Sequence, residues 1–160
     1  MKDGRVECMR VCGWVEVEVI GGDGGVRHFS KHRNMVTDVG LACLGRLAFS
    51  GLTEDKFGYL AIGVGTASES ATDTALESEI ARKGASATQT TTNITDDTVL
   101  LTASFSSADG LTGTSTVSET GIFNAPSGGE MLARKVFSGV PINWDGGDTL
   151  VIRYYVRFER

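Results

Sequence analysis

The sequence predicts a mainly β protein: a jelly-roll-like antiparallel β-sandwich with one short buried α-helix at about residues 37–49. Short runs of alternating apolar and polar residues recur along the chain, and turn-forming residues separate them. Glycine is abundant, with 21 residues, and proline is rare, with 2, a composition typical of short strands joined by tight turns. At 160 residues the chain fits one domain, residues 1–160.

The first two predicted strands form a hairpin. The stretch 5–20 ends in alternating valine and glutamate, which places the valines on one face of a strand. Four glycines and an aspartate at 21–25 predict the turn, and 26–31 returns as the second strand. Basic residues along this return favour a charged edge strand. We expect residues 1–33 to form an N-terminal hairpin or arm, a candidate for docking to neighbouring subunits.

One helix follows the hairpin. Thr37 is a good N-cap, and Ser50 and Gly51 predict the helix end. The residues between them are almost all apolar, so the helix should be buried against a sheet. Gly40 and Gly45 each cost about 1 kcal/mol relative to alanine in a helix interior. Close contact with the sheet would account for both.

The remainder of the chain reads as strands and turns, apart from a single helical turn predicted at 74–81. Leu76 and Ile80 of that turn should face inward. The strand with the clearest alternation is the last one, at 149–158. The other predicted strands after the helix are 57–64, 85–95, 99–106, 115–124 and 130–137.

Charge and hydropathy set limits on the partners. The net charge is −5, whereas phosphate backbones require a basic surface. No apolar run approaches the roughly 20 residues that a membrane helix needs. The first residues lack the apolar core of a signal peptide, and an odd number of cysteines suits a reducing cytosol. We therefore expect neither nucleic-acid binding nor membrane insertion.

Several patterns resemble parts of chemical sites, and each is incomplete. Gly63-Val-Gly65 lacks the third glycine and the lysine of a phosphate loop, which favours a tight strand end. His28 and His32 lie on the same side of a strand without a third metal ligand nearby in sequence. A charged edge strand is the simpler reading of that basic stretch.

The acidic residues do not complete a site either. Asp145 and Asp148 flank glycines but lack the alternating oxygens of a helical calcium loop, which favours a β-turn. Glu119 would be a lone catalytic carboxylate without a partner for glycoside hydrolysis, and a structural role is the simpler alternative. The sequence therefore predicts a protein that is not an enzyme and has no catalytic residue, cofactor or metal.

Three sequence blocks, in this order, resemble small structural proteins of tailed bacterial and archaeal viruses. The blocks are Asn34-Met-Val-Thr37 with Gly40-Leu41; Leu60-Ala-Ile-Gly-Val-Gly-Thr66 with Asp73-Thr-Ala-Leu76 and Glu79; and Glu119-Thr-Gly-Ile-Phe-Asn124 with Gly129 and Met131-Leu-Ala-Arg134. Members of that group are tail-fibre, tail-tip or other virion-surface components. The match covers about residues 34–158, and Val64 stands where the group has a small hydroxyl residue.

The resemblance implies a virion protein, assembled in the host cytoplasm, that acts through homo-oligomers of three or more copies and through contacts with other virion structural proteins. It carries over no catalytic or cofactor residue. Its motif residues are architectural: Asn34, Thr37, Gly40, Gly63, Gly65, Glu119, Gly121, Phe123, Asn124 and Arg134. Among them, Glu119 and Arg134 should face each other across the predicted hairpin, where an exposed pair would be worth little.

A second hypothesis is a carbohydrate- or host-surface-binding module on the same sandwich, with host surface glycans as partners. Such sites need exposed aromatic side chains with polar rims. Trp144 and Tyr59 are the candidates, although Trp144 lies in a predicted turn where it would also be able to cover the core.

Overall fold

Two five-stranded antiparallel sheets pack face to face in the computed structural model, which describes residues 8–49 and 55–160. Sheet A contains, in spatial order, β2 (Val26–Arg33), β1 (Arg10–Ile20), β10 (Thr149–Glu159), β7 (Thr98–Phe105) and β6 (Ser86–Thr90). Sheet B contains β3 (Met35–Val36), β9 (Met131–Asn143), β8 (Thr114–Phe123), β4 (Tyr59–Gly63) and β5 (Glu79–Gly84). A helix, α1 (Asp38–Phe49), joins β3 to β4, and a short 3₁₀ turn covers Ser107–Asp109. The predicted antiparallel β-sandwich with one short helix is confirmed.

The main core lies between the sheets and follows the predicted alternation. Val15, Val17 and Val19 of β1 are buried there, opposite partners on β10. Across the core, the Tyr154 hydroxyl donates a hydrogen bond to the Thr120 carbonyl oxygen on β8, at 2.9 Å. A smaller apolar cluster lies on the other face of sheet B and includes Leu76.

The N-terminal hairpin is part of sheet A. β1 pairs with β10 along its whole length, and β2 pairs only with β1. β2 is therefore an edge strand, as its basic residues predicted. The tight turn between the two strands contains Gly24 at φ +83°, where a residue with a side chain would be strained.

Three element predictions are wrong, and one of them is the strand predicted at 85–95, which ends at Thr90 as β6. No helical turn forms at 74–81, because the amides of Glu77 and Ser78 bond to a distant side chain and residues 79–84 pair with β4 as β5. β9 continues six residues beyond the predicted end at Phe137, through Pro141. β3 pairs only with Ala133 and Arg134 of β9, so Pro141 lies where that side of the strand is an open edge and a missing N–H costs little.

The helix begins as predicted. The Gly40 amide donates to the Thr37 hydroxyl oxygen at 3.1 Å, which is the expected N-cap bond. The Thr37 hydroxyl also donates to the Met131 carbonyl oxygen of β9, so the cap fastens the helix start to the sheet. The predicted helix end at Ser50 and Gly51 lies outside the described residues.

α1 packs against sheet B as predicted, but the sheet buries only one of its sides. Gly40 and Cys43 are buried, whereas Leu41 is 45% exposed and Phe49 is 83% exposed. A Cβ at Gly40 would lie 2.5 Å from the Leu132 Cα, which accounts for that glycine. A Cβ at Gly45 would meet nothing within 4 Å, so contact with the sheet does not account for the second glycine.

Candidate functional site

Several motif residues meet beneath the loop 64–78, which we call the clamped loop. Glu119 on β8 lies at the centre and is fully buried. Its Oε1 accepts hydrogen bonds from the amides of Gly65 at 3.1 Å and Ser78 at 2.7 Å. Its Oε2 accepts from the Glu77 amide at 3.0 Å. One carboxylate thus ties together both ends of the loop.

Arg134 on β9 completes this arrangement. Its Nε and Nη2 donate to Glu119 Oε2 at 3.0 and 2.8 Å. Its Nη1 donates to Asp73 Oδ2 at 2.8 Å, and Nη2 also donates to the Ala67 carbonyl oxygen at 3.1 Å. The predicted Glu119–Arg134 pair is therefore present, and it is buried rather than exposed. A buried pair with these additional bonds matters far more to stability than a surface pair.

The glycines of the motif make room for the carboxylate. A Cβ at Gly63 or at Gly65 would lie 2.5 Å from Glu119 Oε1. The predicted tight strand end at these glycines is therefore built around Glu119. At Gly121, a Cβ would come within 3.1 Å of the Ala133 carbonyl oxygen and of Leu76 Cδ2, so the glycine at this position allows close packing.

The other motif residues lie beside α1 and the hairpin loop 124–130. Asn124 Oδ1 accepts from the Glu130 amide at 2.7 Å and so closes the hairpin loop. Its Nδ2 lies 3.7 Å from Cys43 Sγ of α1. Phe123 is buried beneath the Arg82 guanidinium, whose central carbon lies 3.5 Å from the ring centroid. Asn34 is separate from both groups and lies next to Gly13 of β1.

Acidic residues of the clamped loop are held in the charged form. Burial opposes ionisation of Asp73, but the Ser70 amide and the Arg134 guanidinium outweigh it and lower the pKa of Asp73. Burial likewise opposes ionisation of Glu69, but hydrogen bonds from Lys135 and the Val136 amide lower its pKa below the ordinary value. The Ala67 and Thr66 amides lower the pKa of Glu77. The loop is therefore fastened by carboxylates that need to be ionised.

This fastening predicts loss of stability in acid. A carboxylate with a depressed pKa in the folded state contributes stability above its unfolded pKa, and this contribution is lost as the pH falls. The ordinary values are 4.5 for Glu69 and 3.8 for Asp73. We expect the melting temperature to fall as the pH drops below about 4.5, with a smaller fall in Glu69→Gln. Melting curves followed by circular dichroism over a pH series measure this, and a melting temperature that rises on acidification would contradict it.

The geometry does not equip Glu119 for acid–base catalysis. Both oxygens are occupied by backbone amides and Arg134, and the side chain has no exposed surface to offer a substrate.

His28 and His32 share one side of β2 as predicted. The Nε2 atom of each lies 2.9 Å from Oγ of Ser30, which lies between them in the sequence. Within residues 8–49 and 55–160, no group of three or more His, Cys, Asp or Glu side chains is arranged to hold a metal ion.

Two further candidate residues, Asp148 and Trp144, have structural roles. Asp148 Oδ2 accepts from the Asn143 amide at 2.9 Å inside a turn, in agreement with the β-turn reading of 145–148. Trp144 is 1% exposed, and its Nε1 donates to the Ser115 hydroxyl at 2.9 Å. Tyr59 is half-buried against the smaller cluster. Trp144 therefore covers the core and cannot form a platform for a sugar.

The sequence does not reveal an exposed apolar surface on the helix, because an almost entirely apolar helix pattern predicts burial. The exposed face of α1 and the start of β1 line a groove of about 970 Å³. Met9 is 68% exposed, and Leu41 and Phe49 lie on the opposite side of the groove. The signal available in the sequence was Gly45, a glycine in mid-helix that the protein's own packing does not require.

Comparison of the chain with protein-family models, curated proteins and solved structures gave no match. The resemblance to structural proteins of tailed viruses therefore remains a prediction from the motif blocks. Among the described residues, no helix has both the length and the apolar character needed to cross a membrane.

Proposed function

We propose that this protein is a structural component of a tailed-virus particle and works through contacts with copies of itself and with neighbouring virion proteins. The observation that carries the proposal is the exposed apolar groove between α1 and the start of β1. Contiguous apolar surface of this kind is typical of protein–protein contacts. The exposed residues Val26 and Phe29 on the edge strand β2 add apolar surface on sheet A.

The position of the motif residues also supports this proposal. Glu119, Arg134, Gly63 and Gly65 hold a loop against sheet B, and Thr37 holds the helix start. None of these side chains is presented to a substrate in a way that an enzyme would need. In a protein that functions by assembly, it is sufficient that such residues keep the scaffold rigid.

The first test is the mass of the full-length chain in solution, measured by light scattering after size exclusion. We expect a mass of three or more copies. Phe49→Glu should lower the apparent association constant by about tenfold or more, because it places a charge in an apolar contact. Ile94→Glu is the matched control, since Ile94 is an exposed apolar residue that does not line the groove. A monomer at all concentrations, or equal effects of both variants, would contradict assembly through this groove.

The second test concerns membership of a virion. Genes for portal, tape-measure or tail-tube proteins beside the gene for this chain would support the proposal. Detection of the chain in purified particles by mass spectrometry would establish it. If a host produces both the chain and the virus particles, absence of the chain from the purified particles would refute the virion role, even if the chain forms oligomers.

A further inference from the structure

One edge strand of sheet A is open to solvent and uncharged. β6 forms the edge opposite to β2 and pairs only with β7. Its sequence is Ser-Ala-Thr-Gln-Thr, without a charged residue, a proline or a glycine. The side chains of residues 86–89 are all exposed. Backbone N–H and C=O groups on the outer side of such a strand are available to pair with another strand.

The other strand edges that the structure describes carry features that discourage pairing between molecules. β2 carries two arginines, a lysine and two histidines. On sheet B, β5 carries a glutamate, an arginine and a lysine, and β3 is only two residues long. The part of β9 that extends beyond β3 contains Pro141. Among these edges, β6 is therefore the one best suited to accept another strand.

The composition of β6 favours a second copy of the same strand as its partner. In antiparallel pairing about a two-fold axis at Thr88, this residue faces Thr88 of the copy, and Ser86 faces the copy's Thr90. Pairs of hydroxyl side chains are favourable across neighbouring strands, whereas like charges directly opposite each other are unfavourable. The same arrangement of β2 about Phe29 would place an arginine opposite a lysine. Self-pairing thus suits β6 and does not suit β2.

The chain on both sides of β6 is held in place. Before the strand, the Ala85 amide donates to the Gly58 carbonyl oxygen at 2.8 Å. After it, the Asp97 carboxylate accepts from three successive loop amides, those of residues 92–94, at 2.8 to 3.0 Å. The Gln89 side chain donates to the Asp96 carbonyl oxygen at 3.0 Å and so ties the strand to that loop. A strand that is already ordered loses little conformational entropy when it pairs.

We propose that β6 pairs in antiparallel orientation with β6 of a second copy, so that two five-stranded sheets A become one continuous sheet across a two-fold axis. This inference rests on the proposed function, because both require that copies of the chain assemble. It adds a second contact surface, since the apolar groove is lined by α1, β1, β2 and β10 and not by β6. A two-fold contact alone stops at two copies, whereas two different contact surfaces on one chain allow larger assemblies.

Opposite charges placed at the two-fold axis test the pairing directly. Thr88→Glu would place two glutamates opposite each other, and Thr88→Lys two lysines, so each variant alone should associate about fivefold more weakly. An equimolar mixture of the two places glutamate opposite lysine and should restore association to the parent's level. Ser104→Glu is the matched control, because Ser104 is exposed on the same face of sheet A but lies on β7, which has a strand on both sides. It should associate as the parent does.

These variants are made in the full chain that also carries Phe49→Glu, so that the groove contact is weakened and the β6 contact is measured separately. Light scattering over a concentration series should show a monomer–dimer equilibrium in Phe49→Glu, and circular dichroism shows whether each variant is folded. Ile94, the control residue for the groove, lies after β6 and outside the paired residues 86–90. If a Thr88 variant fails to fold, the double variant Ser86→Lys with Thr90→Glu provides the test. It sets opposite charges against each other in the same register and should associate more strongly than its parent.

The outcomes separate this inference from the proposed function. If the parent assembles but Phe49→Glu is a monomer at every concentration, β6 pairing is refuted and assembly through the groove stands. β6 pairing is also refuted if the mixture of Thr88 variants associates no better than either variant alone, or if Ser86→Lys with Thr90→Glu does not strengthen association. A parent chain that is monomeric at every concentration would refute both contacts, while detection of the chain in purified particles would still decide the virion role.

Discussion

Replacing Glu119 with glutamine is expected to lower the free energy of unfolding by about 3 to 5 kcal/mol, the range found when one partner of a buried ion pair is removed. The change keeps the size of the side chain but removes its charge. Arg134 would then keep Asp73 as its only carboxylate partner. The glutamine NH2 group replaces one of the two carboxylate oxygens. Its donors then face either the Gly65 and Ser78 amides or the Glu77 amide and Arg134, where acceptors are needed. Urea denaturation followed by circular dichroism measures this loss.

A matched control separates this buried pair from an ordinary one. Glu79 pairs with Arg82 at 2.6 Å, and the Glu79 side chain is 31% exposed. Arg82 keeps its bonds to the Ala125 and Gly128 carbonyl oxygens without Glu79. Glu79→Gln should therefore cost at most about 1 kcal/mol. Equal losses of unfolding free energy in the two variants would show that burial does not increase the contribution of Glu119 to stability.

Glu119→Gln should also release the clamped loop before the rest of the domain unfolds. Local opening follows the stability of the contacts that hold a segment. We expect limited proteolysis to cut within 64–78 faster in this variant than in Glu79→Gln. Cleavage elsewhere first would indicate that the loop is held mainly by Leu76 and the smaller apolar cluster.

The strands were predictable because a sheet with one buried face imposes a period of two on the sequence. That period placed Val15, Val17 and Val19 in the core and identified β10. It also placed Glu119 near Arg134, because hairpin partners are close in sequence. The burial of this pair was not predictable, since the covering loop is rich in serine and threonine and reads as exposed. Its bonds to Glu119 span more than forty residues, and no local pattern reports them.

The candidate surfaces were less predictable than the fold. An apolar helix pattern indicates burial but does not tell whether the chain itself supplies the covering surface. Here β9 covers one side of α1 and leaves Leu41 and Phe49 exposed. The open edge of β6 is likewise a property of the strand order, because the sequence of a strand does not tell which strands lie beside it.

Replacing either of two glycines in α1 with alanine is expected to change the free energy of unfolding, and the two changes have opposite signs. Gly40→Ala is expected to lower the free energy of unfolding by about 1 to 3 kcal/mol, because the new Cβ would lie 2.5 Å from the Leu132 Cα and 2.8 Å from its carbonyl oxygen. Those are backbone atoms of β9, so the helix itself has to move away. Gly45→Ala should raise the free energy of unfolding by about 1 kcal/mol, since alanine is the better helix former and nothing lies within 4 Å of the new methyl group.

The pair of variants also distinguishes folding from assembly. Both substitutions add the same methyl group to α1, so their effects on unfolding differ only through position. If copies of the chain approach each other across the exposed face of α1, Gly45→Ala should weaken association even though it stabilises the monomer, because glycine permits close contact between helices. Denaturation under dilute conditions and light scattering at high concentration measure the two effects separately. Unchanged association in Gly45→Ala would leave this glycine without a role in assembly and would restrict the interface to the part of the groove around Phe49 and Met9.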